Sequence, residues 1–288
     1  MTTFKYTVNG NSINIQWENC FINRTDYVDF SNYISNSGYV PNSKVPKLEQ
    51  IAHGHNISLS DAKSIRSVVL KDKIISKYKT IRSKISRYTA EYLIYDINVI
   101  ATKYDLPPLV LLREILRKYY PAELLKNVFN GRLSSTELNK RDQAQLRIAQ
   151  SVDAESHWIQ GQLQRVAADN ERIFANYFRG IGVDLQTEDE IAAEQISACG
   201  RAVITPDILF TQPVYIDNIR VWWMDFKNYT CTDKFILKSN IKQAEKYNLK
   251  WGPGALVYNG CILEDVKIKD TLLLSANCLK LKFRFIND

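Results

Sequence analysis

Asp207, Asp225 and Lys227 are the residues whose types and spacing most directly suggest chemistry. Asp207 follows Pro206 at the head of an apolar run, Ile208-Leu209-Phe210. Eighteen residues later, Asp225 and Lys227 close a second run, Val221-Trp222-Trp223-Met224. Standing two apart in an extended strand, they leave the same face. A turn at Asp217-Asn218 would let the two runs pair antiparallel and bring Asp207 and Asp225 to one point. Two carboxylates at one point suit a hard divalent cation, Mg²⁺ or alternatively Mn²⁺, which takes oxygen ligands. Such a cation bridges a phosphate oxygen and acidifies a water. Lys227 could orient that water or stabilise charge on phosphorus. The chemistry expected is phosphodiester hydrolysis. Glu171 is the expected third ligand or base, and Gln243 and Tyr247, one helical turn apart, could hold the cation's waters or a phosphate.

These residues need positioning elements. Ser156 to Gly180 reads as one amphipathic helix with Trp158, Ile159, Leu163, Val166, Ile173, Phe174 and Phe178 on its apolar side, which sets Glu171 on or beside the buried face. A shorter helix opens at Thr187-Glu188-Asp189-Glu190 and stops at Gly200. Strands are expected over Pro206–Phe210, Val214–Ile216, Ile219–Met224 and Ala255–Tyr258, within Thr271–Cys278, and over Leu281–Ile286. The order helix, strand, strand, helix, strand predicts an α/β domain on a mixed sheet over residues 153–288. Fold alone assigns no function, so the residues must carry it.

Residues 51–152 read as helical. Ser60-Asp61 caps a helix continuing through Ile65, Val68, Ile74, Ile81 and Tyr88, and nine Lys or Arg residues stand against one acid, Asp72, between Lys63 and Arg87. With a net charge of +7, this block favours an anionic partner. Lys71, Lys73, Lys77, Lys79, Arg82, Lys84 and Arg87 are the expected nucleic-acid contacts. Ile97 to Tyr104, a stop at Pro107, and a second helix carrying Arg113 and Arg117 form a helix-turn-helix layout whose second helix could enter a DNA groove. Residues 1–50 form an arm with a hairpin around Asn9-Gly10, then irregular chain from Asn32 to Pro46. The five scattered cysteines suggest neither a disulfide framework nor a zinc site. No apolar run spans a bilayer and no signal-peptide layout opens the chain, so an intracellular protein without a membrane partner is expected.

The run Thr205-Pro206-Asp207 … Trp223-Met224-Asp225-Phe226-Lys227 … Gln243-x-x-x-Tyr247 … Trp251-Gly252-Pro253-Gly254-Ala255 resembles the TPD-motif family. That family is a branch of the PD-(D/E)xK nucleases, akin to Holliday-junction resolvases, and includes the metazoan codanin-interacting nuclease and archaeal relatives. Ile100 to Pro108 and Leu112-Arg113-x-x-Leu116 are similar to the family's helical region, so the resemblance covers about residues 60–278. It implies a restriction-endonuclease-like sheet. It further implies Asp207 and Asp225 as metal ligands, Lys227 as catalytic lysine and Gln243/Tyr247 as an accessory motif. Glu171 would be the helix glutamate, with Glu188, Glu190 and Glu194 competing for that role. One departure is the stretch Asn228-Tyr229-Thr230-Cys231-Thr232-Asp233, where the family commonly has a small residue and a Phe-Gly-Asp-like turn. The implied substrate is DNA, including branched or structured DNA, and resolvase-like enzymes often pair as homodimers. The other implied role is docking of a codanin-like protein partner with weak or no cleavage, placed in nucleus and cytoplasm if the chain is eukaryotic.

Overall fold

The computed structural model describes residues 4–36, 38–39, 47–153, 160–233 and 235–283. Strands β1 (Lys5–Asn9), β2 (Ser12–Gln16) and β3 (Phe21–Ile22) precede α1 (Arg24–Asn36). A helical series follows: α2 (Leu48–Gly54), α3 (Leu59–Ser83), α4 (Ile85–Tyr92), α5 (Ile97–Tyr104), α6 (Pro108–Leu116), α7 (Ala122–Phe129) and α8 (Lys140–Val152). The remainder is α9 (Gln160–Gly180), β4 (Leu185–Thr187), α10 (Glu188–Cys199), β5 (Ile208–Ile216), β6 (Ile219–Lys227), α11 (Phe235–Trp251), β7 (Gly254–Tyr258), β8 (Ile262–Leu263) and β9 (Thr271–Ser275). The expected α/β class with a mixed sheet is present. Seven strands run in the order β1-β2-β5-β6-β7-β9, with β4 beside β5.

The two central strands form around the two apolar runs. Pro206–Phe210 and Val214–Ile216 turn out to be one strand, β5, with an irregularity between Leu209 and Val214. It turns into antiparallel β6 through Asp217 (φ 48°) and Asn218 (φ 67°), the left-handed pair that a two-residue hairpin requires. β6, β7 and β9 then run parallel. One face of the sheet packs Met224, Phe226, Val257 and Phe210 against Phe174 and Phe178 of α9. The other packs Trp223, Leu256 and Tyr258 against Ala244 and Tyr247 of α11. Asp225 and Lys227 therefore emerge on the α11 side of the sheet.

Trp251-Gly252-Pro253-Gly254 fixes how β7 meets β6. A Cβ at Gly254 would lie 2.1 Å from the buried Trp223 indole, and one at Gly252 (φ 96°) 3.0 Å from Trp222. Only glycine lets β7 run this close to the two tryptophans.

Several sequence expectations need correction. The Asn9-Gly10 hairpin forms, and β2 extends the sheet by pairing parallel with β5. Asn32 to Asn36 is not irregular but the end of α1, whose Tyr27, Phe30 and Ile34 are buried in the helical core. Residues 40–46 lie outside those described, as do 154–159 and 284–288, which hold the start of the expected long helix and the end of the last expected strand. Residues 281–283 form no strand, and Thr271–Cys278 ends as β9 at Ser275 before a single 3₁₀ turn. The helix expected to run on to Tyr88 breaks at Lys84 into α3 and α4. Cys20 and Cys261 form a disulfide (Cα–Cα 4.7 Å), where none was expected; a bridge between residues 241 apart leaves no local pattern to read. Among the described residues, no helix is long and apolar enough to cross a membrane.

Asp61 is buried at the junction of helical and sheet regions. The N-cap is Ser58, whose hydroxyl accepts from the Asp61 N–H. The Asp61 carboxylate instead accepts from the Thr230 hydroxyl (3.0 Å) and the Cys261 N–H (2.7 Å). With β3 pairing β8, this joins α3 to the segment after β6.

Candidate metal centre and its surroundings

Asp207 stands just before β5, opposite Asp225 if the Ile208–Met224 register is continued by one step. Its Oδ2 accepts the Phe226 N–H at 2.6 Å, which fixes the carboxylate against β6. Burial, followed by the charges of Asp225 and Glu171, pushes the Asp207 carboxyl well above the usual carboxylate range.

Asp225, 2% exposed, lies in a network on the α11 side. It forms an ion pair with Lys227, and its Oδ1 accepts from Gln243 Nε2 and the Tyr247 hydroxyl, each at 3.2 Å. Lys227 Nζ also donates to Gln243 Oε1 at 2.8 Å. Gln243 and Tyr247 are thus a brace for the Asp225–Lys227 pair. Burial acts to lower the Lys227 pKa, but the neighbouring Asp225 and Tyr229 and the hydrogen bond to Asp225 outweigh it, so the ammonium is held above its ordinary value.

Among the described residues, Glu171, Glu188 and Asp207 gather, with one oxygen of each within 4.8 Å of the others. They come from three elements: the body of α9, the first residue of α10 and the approach to β5. Buried Asn170 donates to Asn228 beyond β6 at 2.5 Å, holding this turn of α9 to the sheet end. Burial first, then the charges of Glu188 and Asp225, raises the Glu171 carboxyl to about 7, with Lys227 pulling it the other way.

Of the four competing glutamates, Glu171 and Glu188 therefore reach Asp207. Glu190 is taken by the capping box at Thr187 and by Arg179, and Glu194 accepts from Gln186 on β4. Thr205 links the two groups of the site. Its hydroxyl donates to Glu188 (3.0 Å), while its carbonyl accepts from the Tyr247 hydroxyl (3.0 Å). A threonine two residues before Asp207 was the one signal for Glu188, and it becomes legible only once α10 packs beside it. The three carboxylates line a cleft of about 490 Å³ together with Arg172, Arg179, Asp169 and Asp189.

The expected nucleic-acid contacts are placed less favourably. Lys73 and Lys77 pair with Asp105 at 2.8 and 3.4 Å. Arg82 pairs with Glu114 at 3.5 Å and Arg87 with Glu91 at 3.4 Å. The block that was cationic in sequence meets Asp105 after α5, Glu114 of α6 and, for Arg87, Glu91 one turn along α4. Lys79 and Lys84 are exposed and Lys71 is half-buried. α6, the expected groove-reading helix, is buried at every position except Arg113. Leu109, Val110, Leu111, Leu112, Ile115 and Leu116 cover all its sides, as expected of a core helix. It offers no face to a groove. Arg117 pairs with Glu114 at 2.7 Å.

Residues 138–277, just under half of the chain, match the profile of a family described as "Protein of unknown function TPD sequence-motif". The match contains Thr205-Pro206-Asp207 and the residues of the site, and supports a TPD-motif family for this part of the chain. Residues 60–137, where the sequence suggested further resemblance, lie outside it. A protein of Acanthamoeba polyphaga mimivirus described as uncharacterized is 36% identical over 107 residues, which is 35% of this chain. The chain spans 37% of that relative's length. No solved structure matches.

Proposed function

We propose that the chain is a metal-dependent phosphodiesterase acting on DNA, including branched or structured DNA, with a PD-(D/E)xK-type site on a restriction-endonuclease-like sheet. The observation that carries this reading is the convergence of Glu171, Glu188 and Asp207 from three separate elements within 4.8 Å. The donors are all carboxylate oxygens, as Mg²⁺ or Mn²⁺ prefers. Glu171 and Asp207 hold their protons unusually strongly, first because they are buried and then because negative charge is crowded there, and a bound cation would relieve that crowding. These three residues would hold the cation, with Asp225 beside them. When bound, the cation would polarise a phosphate oxygen and acidify a water.

The remaining roles belong to the chain's own groups. Lys227, kept protonated by Asp225, serves as a fixed positive charge for the phosphate rather than as a base. Gln243 and Tyr247 keep the pair in register. Thr205 orients Glu188 from below while Tyr247 anchors the Thr205 carbonyl, so the three motif segments act as one unit.

The test is cleavage of plasmid, single-stranded, flap and junction DNA with Mg²⁺ or Mn²⁺, comparing wild type with Asp207→Asn, Glu188→Gln and Asp225→Ala. Cleavage that needs the cation and is lost in all three variants supports the reading. Absence of cleavage on every substrate, or equal cleavage by the variants, ends it.

A further inference from the structure

Helix α9 carries Arg165, Arg172 and Arg179 at intervals of seven residues. Ala168, Arg172, Ala175 and Arg179 all line the cleft that holds Glu171, Glu188 and Asp207. Steps of four, three and four keep these positions on one face of a helix, and Arg165, three residues before Ala168, continues the same row. Arg165 is exposed, and the Arg172 and Arg179 side chains are 72% and 42% exposed. Between them stand exposed Ala168 and buried Ala175, both small, while Asp169, Glu171 and Asn176 line the same cleft.

We infer that this arginine row on α9 is the track for a nucleic-acid strand, binding its phosphates on the approach to the carboxylate cluster. The identity of the ligand rests on the phosphodiesterase reading, while the row itself rests on the helix geometry. Seven helical residues advance about 10.5 Å, so the row runs about 21 Å from Arg165 to Arg179. A small anion needs one such group; a linear array this long suits a polyanion. A strand carries one phosphate for about every 3.4 Å of rise, so successive arginines fall near every third phosphate. Arg172 is held by Asp169 at 2.9 Å and Arg179 by Glu190 at 2.7 Å. Both are exposed ion pairs, weak enough for a phosphate to compete. Glu171 immediately precedes Arg172, so a strand following the row passes the acidic cluster. Four of the expected basic contacts on α3 and α4 are likewise ion-paired, Lys73 and Lys77 with Asp105, Arg82 with Glu114 and Arg87 with Glu91 of its own helix.

The test is fluorescence anisotropy of a labelled 20-nucleotide single strand and the corresponding duplex with the full chain. Ca²⁺ is present and DNA integrity is checked on a gel. Wild type is compared with Arg165→Ala/Arg172→Ala/Arg179→Ala, with the three Arg→Lys replacements, and with Lys71→Ala/Lys79→Ala/Lys84→Ala, all shown to be folded by thermal melting. Loss of three phosphate contacts should reduce the slope of log affinity against log salt by about 2 on the single strand to about 3 on the duplex. The Arg→Lys protein should keep most of the slope, and the α3 protein should resemble wild type. An unchanged slope in the alanine protein, loss of slope only in the α3 protein, or no binding by wild type overturns the inference. Its fate is separable from that of the nuclease reading. DNA bound along the row without cleavage leaves the track standing, and cation-dependent cleavage with an unchanged slope leaves only the nuclease.

Discussion

Replacing Lys227 with methionine tests the electrostatic logic of the site without requiring catalysis. Asp225 is 2% exposed and Lys227 is its cationic partner. Methionine keeps much of the lysine stem's volume, so the change removes mainly charge. Removing one partner of a buried pair costs about 3–5 kcal/mol, because the other charge is left uncompensated. Asp225 Oδ1 would keep its bonds from Gln243 and Tyr247, which places the expected loss near the lower end, about 3 kcal/mol. The companion change, Asp225→Asn, removes the stranded charge and also lightens the crowding around Asp207 and Glu171. The double variant should therefore be more stable than Lys227→Met alone and within about 1 kcal/mol of wild type. Urea denaturation in EDTA, followed by far-UV circular dichroism, measures all four proteins, with unchanged m-values certifying comparable transitions. A Lys227→Met protein within about 0.5 kcal/mol of wild type, or a double variant as unstable as the single, would refute the reasoning.

Two further outcomes follow from the same geometry. Gly254→Ala places a methyl group 2.1 Å from the fully buried Trp223 indole, so β7 or the ring must move. The expected loss is about 3 kcal/mol, at the upper end for overpacking, and a urea midpoint equal to wild type would contradict the close approach. Glu171 has a folded-state pKa raised to about 7, against about 4.3 in the unfolded chain. Its contribution to stability is present below the unfolded value and lost as pH rises through the folded one, so the cation-free protein should melt lower at pH 8 than at pH 6. Mg²⁺ at one fixed concentration, about a hundredfold its Kd at pH 8, should stabilise by about 2.7 kcal/mol there, with a smaller melting shift at pH 6. A larger shift at pH 6 would count against Glu171 as a ligand.

Local pattern made much of the site legible. Two apolar runs and the Asp217-Asn218 turn located the β5–β6 hairpin, and helical spacing paired Gln243 with Tyr247. Glu188 stayed ambiguous because acids in a first helical turn are favoured by the helix dipole whatever else they do. Only the packing of α10 beside Thr205 separates it from Glu190. The basic block misled for a related reason: sequence shows the cations of one helix but not the acids that other helices lay against them. The burial of α6 was legible, since its apolar residues cover every side. The pairing of β2 with β5 and the Cys20–Cys261 bridge join residues about 200 or more apart, a separation at which no periodicity operates.

The central claim, that Glu171, Glu188 and Asp207 hold a divalent cation, is tested most directly by anomalous diffraction from crystals of the protein soaked in Mn²⁺. The expected result is an anomalous peak within bonding distance of all three carboxylates, lost in Glu188→Gln crystals. A peak elsewhere, or none at this cluster, would contradict it.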